Sequence, residues 1–188
     1  MSRQRNETLI ALLLSGIAVY LLFTRSGQQV AANIAAQAEE GIMELSDSGL
    51  QLIASFEGFS ATPYADAQGQ SIGYGHFILP GELGSTIIPP ITQAQGLALL
   101  QQDAGIAENA VANLVTVPLS QNQYDALVSL VYNIGQGNFA HSTLLRDLNA
   151  RDYDAAAAQF PLWDKSNNQV VQALVDRRAS EQDLFLTA

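Results

Sequence analysis

The sequence predicts an α+β domain in which a small β-hairpin lobe sits beside a larger helical lobe with a cleft between them, preceded by an N-terminal transmembrane helix. Three observations carry that expectation. Capping-box spacings precede helical apolar stripes at Ser48/Gln51, Thr92/Gln95 and Ser120/Gln123. A short polar run turning at Gly69 reads as a hairpin. An uncharged apolar stretch lies close to the N-terminus.

Residues 8–24 form that stretch, with Leu9, Ile10, Leu12, Leu13, Leu14, Ile17, Val19, Leu21, Leu22 and Phe23 in it. It is just long enough to span a bilayer. Arg3 and Arg5 precede it, which favours an N-terminus inside and an exported remainder, although Arg25 on the other flank weakens the asymmetry. A cleaved signal peptide is the rival reading, but Ala36-Gln37-Ala38 lies too far beyond the apolar run to serve it. Residues 1–25 are therefore read as a membrane anchor or signal-anchor. Residues 26–47, rich in Ala and Gln with Glu39, Glu40 and Glu44, read as a linker. The folded domain is expected over 48–188, long enough for a proper core.

Within that domain a first helix opens at Ser48, buries Leu50, Ile53 and Phe56 at helical spacing, and stops at Gly58. A hairpin follows over Tyr64 to Ser71. Thr92 and Ser120 open two further helices, the second with a core stripe of Tyr124, Leu127, Val128 and Val131. Shorter helices are predicted at 143–149, 153–159 and 171–185, while Leu79-Pro80-Gly81 and Pro89-Pro90 mark loops.

The chemistry concentrates in one stretch. Glu57 falls in the last turn of the first helix, where the negative end of the helix dipole and the rings of Phe56 and Phe59 disfavour a bare carboxylate. Asp66 stands in a polar hairpin, a setting for an ionised carboxylate, with the hydroxyl of Ser71 five residues on. One carboxyl holding a proton and another ionised is what acetal cleavage by water requires. Taken singly, either residue is ordinary: a solvated helix end, or turn chemistry.

The whole constellation is more specific. Glu57, eight residues, Asp66, a short turn, Ser71 and then Ile72-Gly73-Tyr74-Gly75-His76 closely resembles the signature of the phage-type lysozymes, glycoside hydrolase family 24. Further blocks follow in the family's order: Gln123-Tyr124-Asp125-Ala126-Leu127-Val128-Ser129 into Asn133-Ile134-Gly135, then Ser142-Thr143-Leu144-Leu145-Arg146, then Phe160-Pro161-Leu162-Trp163 and Leu174-Val175-Asp176-Arg177-Arg178-Ala179-Ser180-Glu181. One departure is visible, because the family usually places five residues between its aspartate and a threonine, whereas four stand here and the hydroxyl belongs to Ser71. The Ile72 to His76 run fixes that register from the far side.

The resemblance implies a lysozyme-like fold and a muramidase cutting the β-1,4 bond between N-acetylmuramic acid and N-acetylglucosamine in peptidoglycan. Glu57 would be the general acid, Asp66 the base, and Ser71 the group positioning the attacking water, with inversion at the anomeric carbon. Tyr74, His76, Asn133, Arg177 and Arg178 complete the candidate substrate-binding set. His76 reads chiefly as filling a buried hydrogen bond, and an arginine near Glu57 would hold it in place while favouring its ionised form. A lytic transglycosylase, and a non-catalytic wall-binding or virion protein keeping the fold, are the alternative readings.

Partners and exclusions follow from charge and composition. With 8 basic against 18 acidic residues the formal charge is −10, which disfavours nucleic acid. Gly73-Tyr74-Gly75 lacks the strand-to-helix setting of a phosphate loop. With no cysteine and two histidines, a zinc site is not expected, and neither is any cofactor. The expected partners are peptidoglycan and, through residues 8–24, a lipid bilayer, with other lysis or virion proteins admissible. The expected location is a single-pass protein of the host inner membrane or a virion membrane, its catalytic domain facing the wall.

Overall fold

The computed structural model describes residues 43–66 and 69–187, all within one compact unit beginning at Met43. The predicted anchor and the linker up to residue 42 lie outside the described residues. Among the described residues no helix is long and apolar enough to cross a membrane.

Helix α1 spans Asp47–Glu57 and is capped by Ser46, whose side chain accepts from the Gly49 N–H at 3.1 Å. Ser48 is not the cap that its spacing to Gln51 suggests, and the reason is tertiary. The Ser46 N–H and hydroxyl both donate to the buried carboxylate of Asp125, which fixes the helix start two residues earlier. Gly49 admits that carboxylate, since a Cβ there would lie 2.7 Å from Asp125 Cγ. Just upstream, Leu45 is buried and its N–H donates to Glu108 Oε1 at 2.6 Å. The helix ends at Gly58, at φ 71°, a left-handed conformation that favours glycine.

Strands β1 (Ser60–Asp66), β2 (Gly69–Gly73) and β3 (His76–Phe77) form an antiparallel sheet in that order. The register places Asp66 opposite Gly69, Tyr64 opposite Ser71 and Ile72 opposite His76. Beneath it Ile72, Ile87 and Ile91 make a small core of their own. The sheet meets the long helix α2 (Gln93–Leu114) at two glycines: a Cβ on Gly73 would lie 3.3 Å from Gly96 Cα, and one on Gly96 would strike the Phe59 ring at 2.9 Å.

The predicted capping boxes at α2 and at α3 (Gln121–Ile134) are both formed. At Thr92 the backbone N–H donates to Gln95 Oε1 at 2.8 Å and the Gln95 N–H donates back to Thr92 Oγ1 at 3.2 Å. Helix α3 is the hub, buried continuously from Tyr124 to Val131. Around it lie α1, α2, the short α4 (Gln136–Ala140) and the terminal α7 (Gln172–Leu186). Each fully buried leucine or valine there contributes about 1.5–3 kcal/mol. Helices α5 (Thr143–Asn149) and α6 (Tyr153–Ala157) lie near their predicted places, and α6 gives way to a 3₁₀ turn over Phe160–Trp163. A second, unpredicted hairpin joins β4 (Lys165–Ser166) to β5 (Gln169–Val170). Its two linking residues, Asn167 and Asn168, both have positive φ.

Candidate active site

Glu57 is the last residue of α1, a quarter exposed, and the side chain that meets it comes from α7. Arg177 Nη1 donates to Glu57 Oε1 at 2.7 Å, and its guanidinium lies 5.2 Å from the centre of the Phe56 ring. Arg177 is only 4% exposed. Its remaining donors turn inward, Nε to Glu181 Oε1 at 3.1 Å and Nη2 to the Ser129 carbonyl at 3.2 Å. Glu181 also accepts from the Ser129 hydroxyl at 2.7 Å and from Arg178 Nη2 at 2.9 Å. Arg178 Nε stands 2.8 Å from Glu181 Oε2, an ion-pair distance without hydrogen-bond alignment. Burial pushes the Glu181 carboxyl up, while Arg178, Ser129 and Arg177 pull it back. Burial likewise pushes Arg178 down against the pull of Glu181.

The second carboxylate lies on the sheet. Asp66 is the last residue of β1 and exposed, and Ser71, across the hairpin on β2, donates its hydroxyl to Asp66 Oδ2 at 3.0 Å. Ser71 is fully enclosed. Its hydroxyl proton is therefore engaged by the carboxylate in this structure.

His76 is 5% exposed, with Nδ1 3.0 Å from Asp103 on α2 and Nε2 3.3 Å from Glu82 in the following loop. Both ring nitrogens are engaged, so the imidazole ties sheet, loop and helix together from behind and presents no free atom to a ligand. Burial pushes the Asp103 carboxyl up, with His76 opposing. Glu82 is held below its ordinary value, first by the Leu79 N–H.

Tyr74 is half-buried against Phe59, ring centres 5.2 Å apart. Asn133 is exposed near the end of α3. The structure thus brings Arg177 to Glu57 and Ser71 to Asp66, but turns Arg178 wholly inward onto Glu181, away from any cleft. Among the described residues no group of three or more His, Asp or Glu side chains is placed to hold a metal ion. A surface depression of about 340 Å³, lined by His141, Ser142, Arg146 and Asn149 among others, contains neither Glu57 nor Asp66.

Glu181, Ser129 and Tyr132 have no site role that the sequence alone assigns, although the first two stand within the family-like blocks. Glu181 stands four residues from Arg177 and three from Arg178, a helical spacing visible in the sequence. Tyr132 feels Glu57, Asp103, Arg177 and Tyr64, and burial pushes its phenol up, leaving a neutral hydroxyl.

A family model described as Phage lysozyme matches residues 54–181. The endolysin of Salmonella phage P22 is 40% identical over 150 residues, covering 78% of this chain and 100% of that one. The endolysin of Bacillus phage PZA is 42% identical over 148 residues, covering 76% of this chain but 55% of the relative, so this chain spans about half of that protein's length. A SAR-endolysin of Enterobacteria phage P21 is 34% identical over 131 residues, 69% of this chain and 77% of that one. Among solved structures, the crystal structure of a P22 lysozyme point mutant superposes with a TM-score of 0.69 at 40% identity, covering 77% of this chain and 99% of that one. The fold, the ordered motifs and these matches agree, and the chain belongs to the phage lysozyme family.

Proposed function

We propose that the chain is a phage muramidase that lyses the host wall by hydrolysing the β-1,4 bond between N-acetylmuramic acid and N-acetylglucosamine in peptidoglycan. The observation that carries this reading is a pair of carboxylates held in unlike ways: Glu57 by Arg177 at 2.7 Å, Asp66 by Ser71 at 3.0 Å. Glu57, a quarter exposed at a helix end, donates a proton to the leaving glycosidic oxygen. Asp66, exposed on the sheet, takes a proton from the water that attacks the anomeric carbon from the opposite face. The old C–O bond breaks as the new one forms, and inversion requires roughly 6.5–9.5 Å between the carboxyl groups for that water.

Arg177 acts as an anchor for Glu57, and Ser71 as the residue that orients Asp66. His76 and Tyr74 shape the wall behind the sheet, and Asn133 offers an exposed amide to the sugar. Residues 8–24 supply a membrane anchor that keeps the domain on the wall-facing side, a reading supported by their lack of charge and by the SAR-endolysin relative.

Clearing of purified peptidoglycan by the protein and by Glu57→Gln tests the assignment. Wild type should clear, the variant should lose about 10²-fold or more, and fresh products should carry the α anomer with no 1,6-anhydro ends. Equal clearing by both proteins refutes the role of Glu57, and anhydro ends refute hydrolysis.

A further inference from the structure

An arginine and a carboxylate frequently pair through two parallel N–H···O bonds. Arg177 does not treat Glu57 so. Glu181 occupies its Nε at 3.1 Å and the Ser129 carbonyl its Nη2 at 3.2 Å, and only Nη1 reaches Glu57. Glu181 is itself fully enclosed, and fixed in turn by the Ser129 hydroxyl and Arg178.

We propose that Glu181 is a positioning residue for the reaction, which, together with the Ser129 carbonyl, turns the Arg177 guanidinium so that a single donor anchors Glu57 Oε1 while Oε2 stays available to the leaving oxygen. This rests on the reading of Glu57 as the general acid. The geometry supplies two effects of one sign. Glu181 holds Nε and so fixes the guanidinium with Nη2 on the Ser129 carbonyl and Nη1 alone facing Glu57, and its negative charge offsets the guanidinium that would otherwise favour the ionised acid.

The other groups around this point do not substitute for it. Tyr132 on α3 is neutral, Asp103 on α2 is engaged by His76, and Asp66 and Tyr64 lie on β1. The adjustable charge beside Arg177 is therefore on α7, in Glu181 and its second partner Arg178.

Glu181→Gln keeps the shape and removes the charge. The alkaline limb of the kcat/KM profile on peptidoglycan should move down by about one pH unit, with kcat falling more than KM changes. Arg178→Met should move it the other way, because Glu181 then has Arg177 as its one positively charged partner among the described residues. A purely structural role instead lowers the melting temperature and leaves both limbs in place, and that result overturns the proposal. Should Glu181→Gln fail to fold, Arg178→Met decides, and an unmoved limb there is equally fatal.

A substrate-free measurement separates this inference from the muramidase reading. The ¹³C titration midpoint of the Glu57 carboxyl should fall in Glu181→Gln and rise in Arg178→Met. Shifted midpoints in a protein that clears no wall would uphold the positioning geometry and defeat the acid assignment. Normal clearing with midpoints that stay put would do the reverse.

Discussion

Substituting Ser71 by alanine and by threonine should move turnover and stability apart. Ser71 is fully enclosed between strand partners Tyr64 and Phe77, and its hydroxyl donates to Asp66 at 3.0 Å. A hydrogen bond to a charged group contributes about 1.5–3 kcal/mol when shielded. Asp66 is exposed, so water replaces much of the loss in Ser71→Ala, leaving a cost of about 1 kcal/mol or a fall of about 2–4 °C in Tm. The functional cost should be larger, because a base no longer held in place loses its alignment with the water. We expect kcat to drop about 10–100-fold with KM within about twofold. Ser71→Thr keeps the donor and adds a methyl at a fully enclosed position, costing about 1–3 kcal/mol of stability while kcat stays within about threefold. Initial rates of peptidoglycan clearing over a range of wall concentrations, beside thermal melts, read both quantities. An alanine variant with wild-type kcat, or a threonine variant that melts higher than wild type, refutes the reasoning.

Three other outcomes follow from particular contacts. Gly49→Ala should lower stability by about 1–2 kcal/mol despite the better helix propensity of alanine, because its Cβ would meet the tethered Asp125 at 2.7 Å; Gly105→Ala, with open space around it, should gain about 0.5–1 kcal/mol, and urea titrations that reverse this order contradict the geometry. Glu82 is held below its ordinary 4.5 chiefly by the Leu79 N–H, so its contribution is present above that pH and lost as pH falls through the folded value; the Tm gap between wild type and Glu82→Ala should therefore narrow on acidification below about pH 4.5, and a gap that widens reverses the sign. With 8 basic and 18 acidic residues, clearing of an anionic wall should speed up as sodium chloride rises from about 10 to about 150 mM, and a rate that falls over that range argues against repulsion as the limiting effect.

The elements legible in the sequence are those whose signals are local. Thr92 and Ser120 each carry the residue that completes their capping box three positions on, and both helices start there. Gly58 ends α1 because the left-handed turn asks for glycine, which places Glu57 in the final turn. Ser46 was not legible as a cap, since its choice over Ser48 is made by Asp125, 79 residues away. The β4–β5 hairpin rests on two asparagines at positive φ, a weaker signal than Asn-Gly. At the candidate site, the Glu57, Asp66 and Ser71 positions came from spacing and resemblance. The partition of the two arginines did not, because which one faces Glu57 depends on how α7 is rotated against α3, and only the folded chain decides that.

The seam formed by Leu45, Ser46, Glu108 and Asp125 also governs where the chain can be cut. A truncation beginning at residue 48 removes the apolar plug and three donors at once, opening Asp125 and the Glu108 carboxylate to a gap beside the hub helix. Beginning at residue 43 retains all of them. Soluble yield and monodispersity of those two fragments should differ accordingly, although neither cut touches Glu57, Asp66 or Ser71.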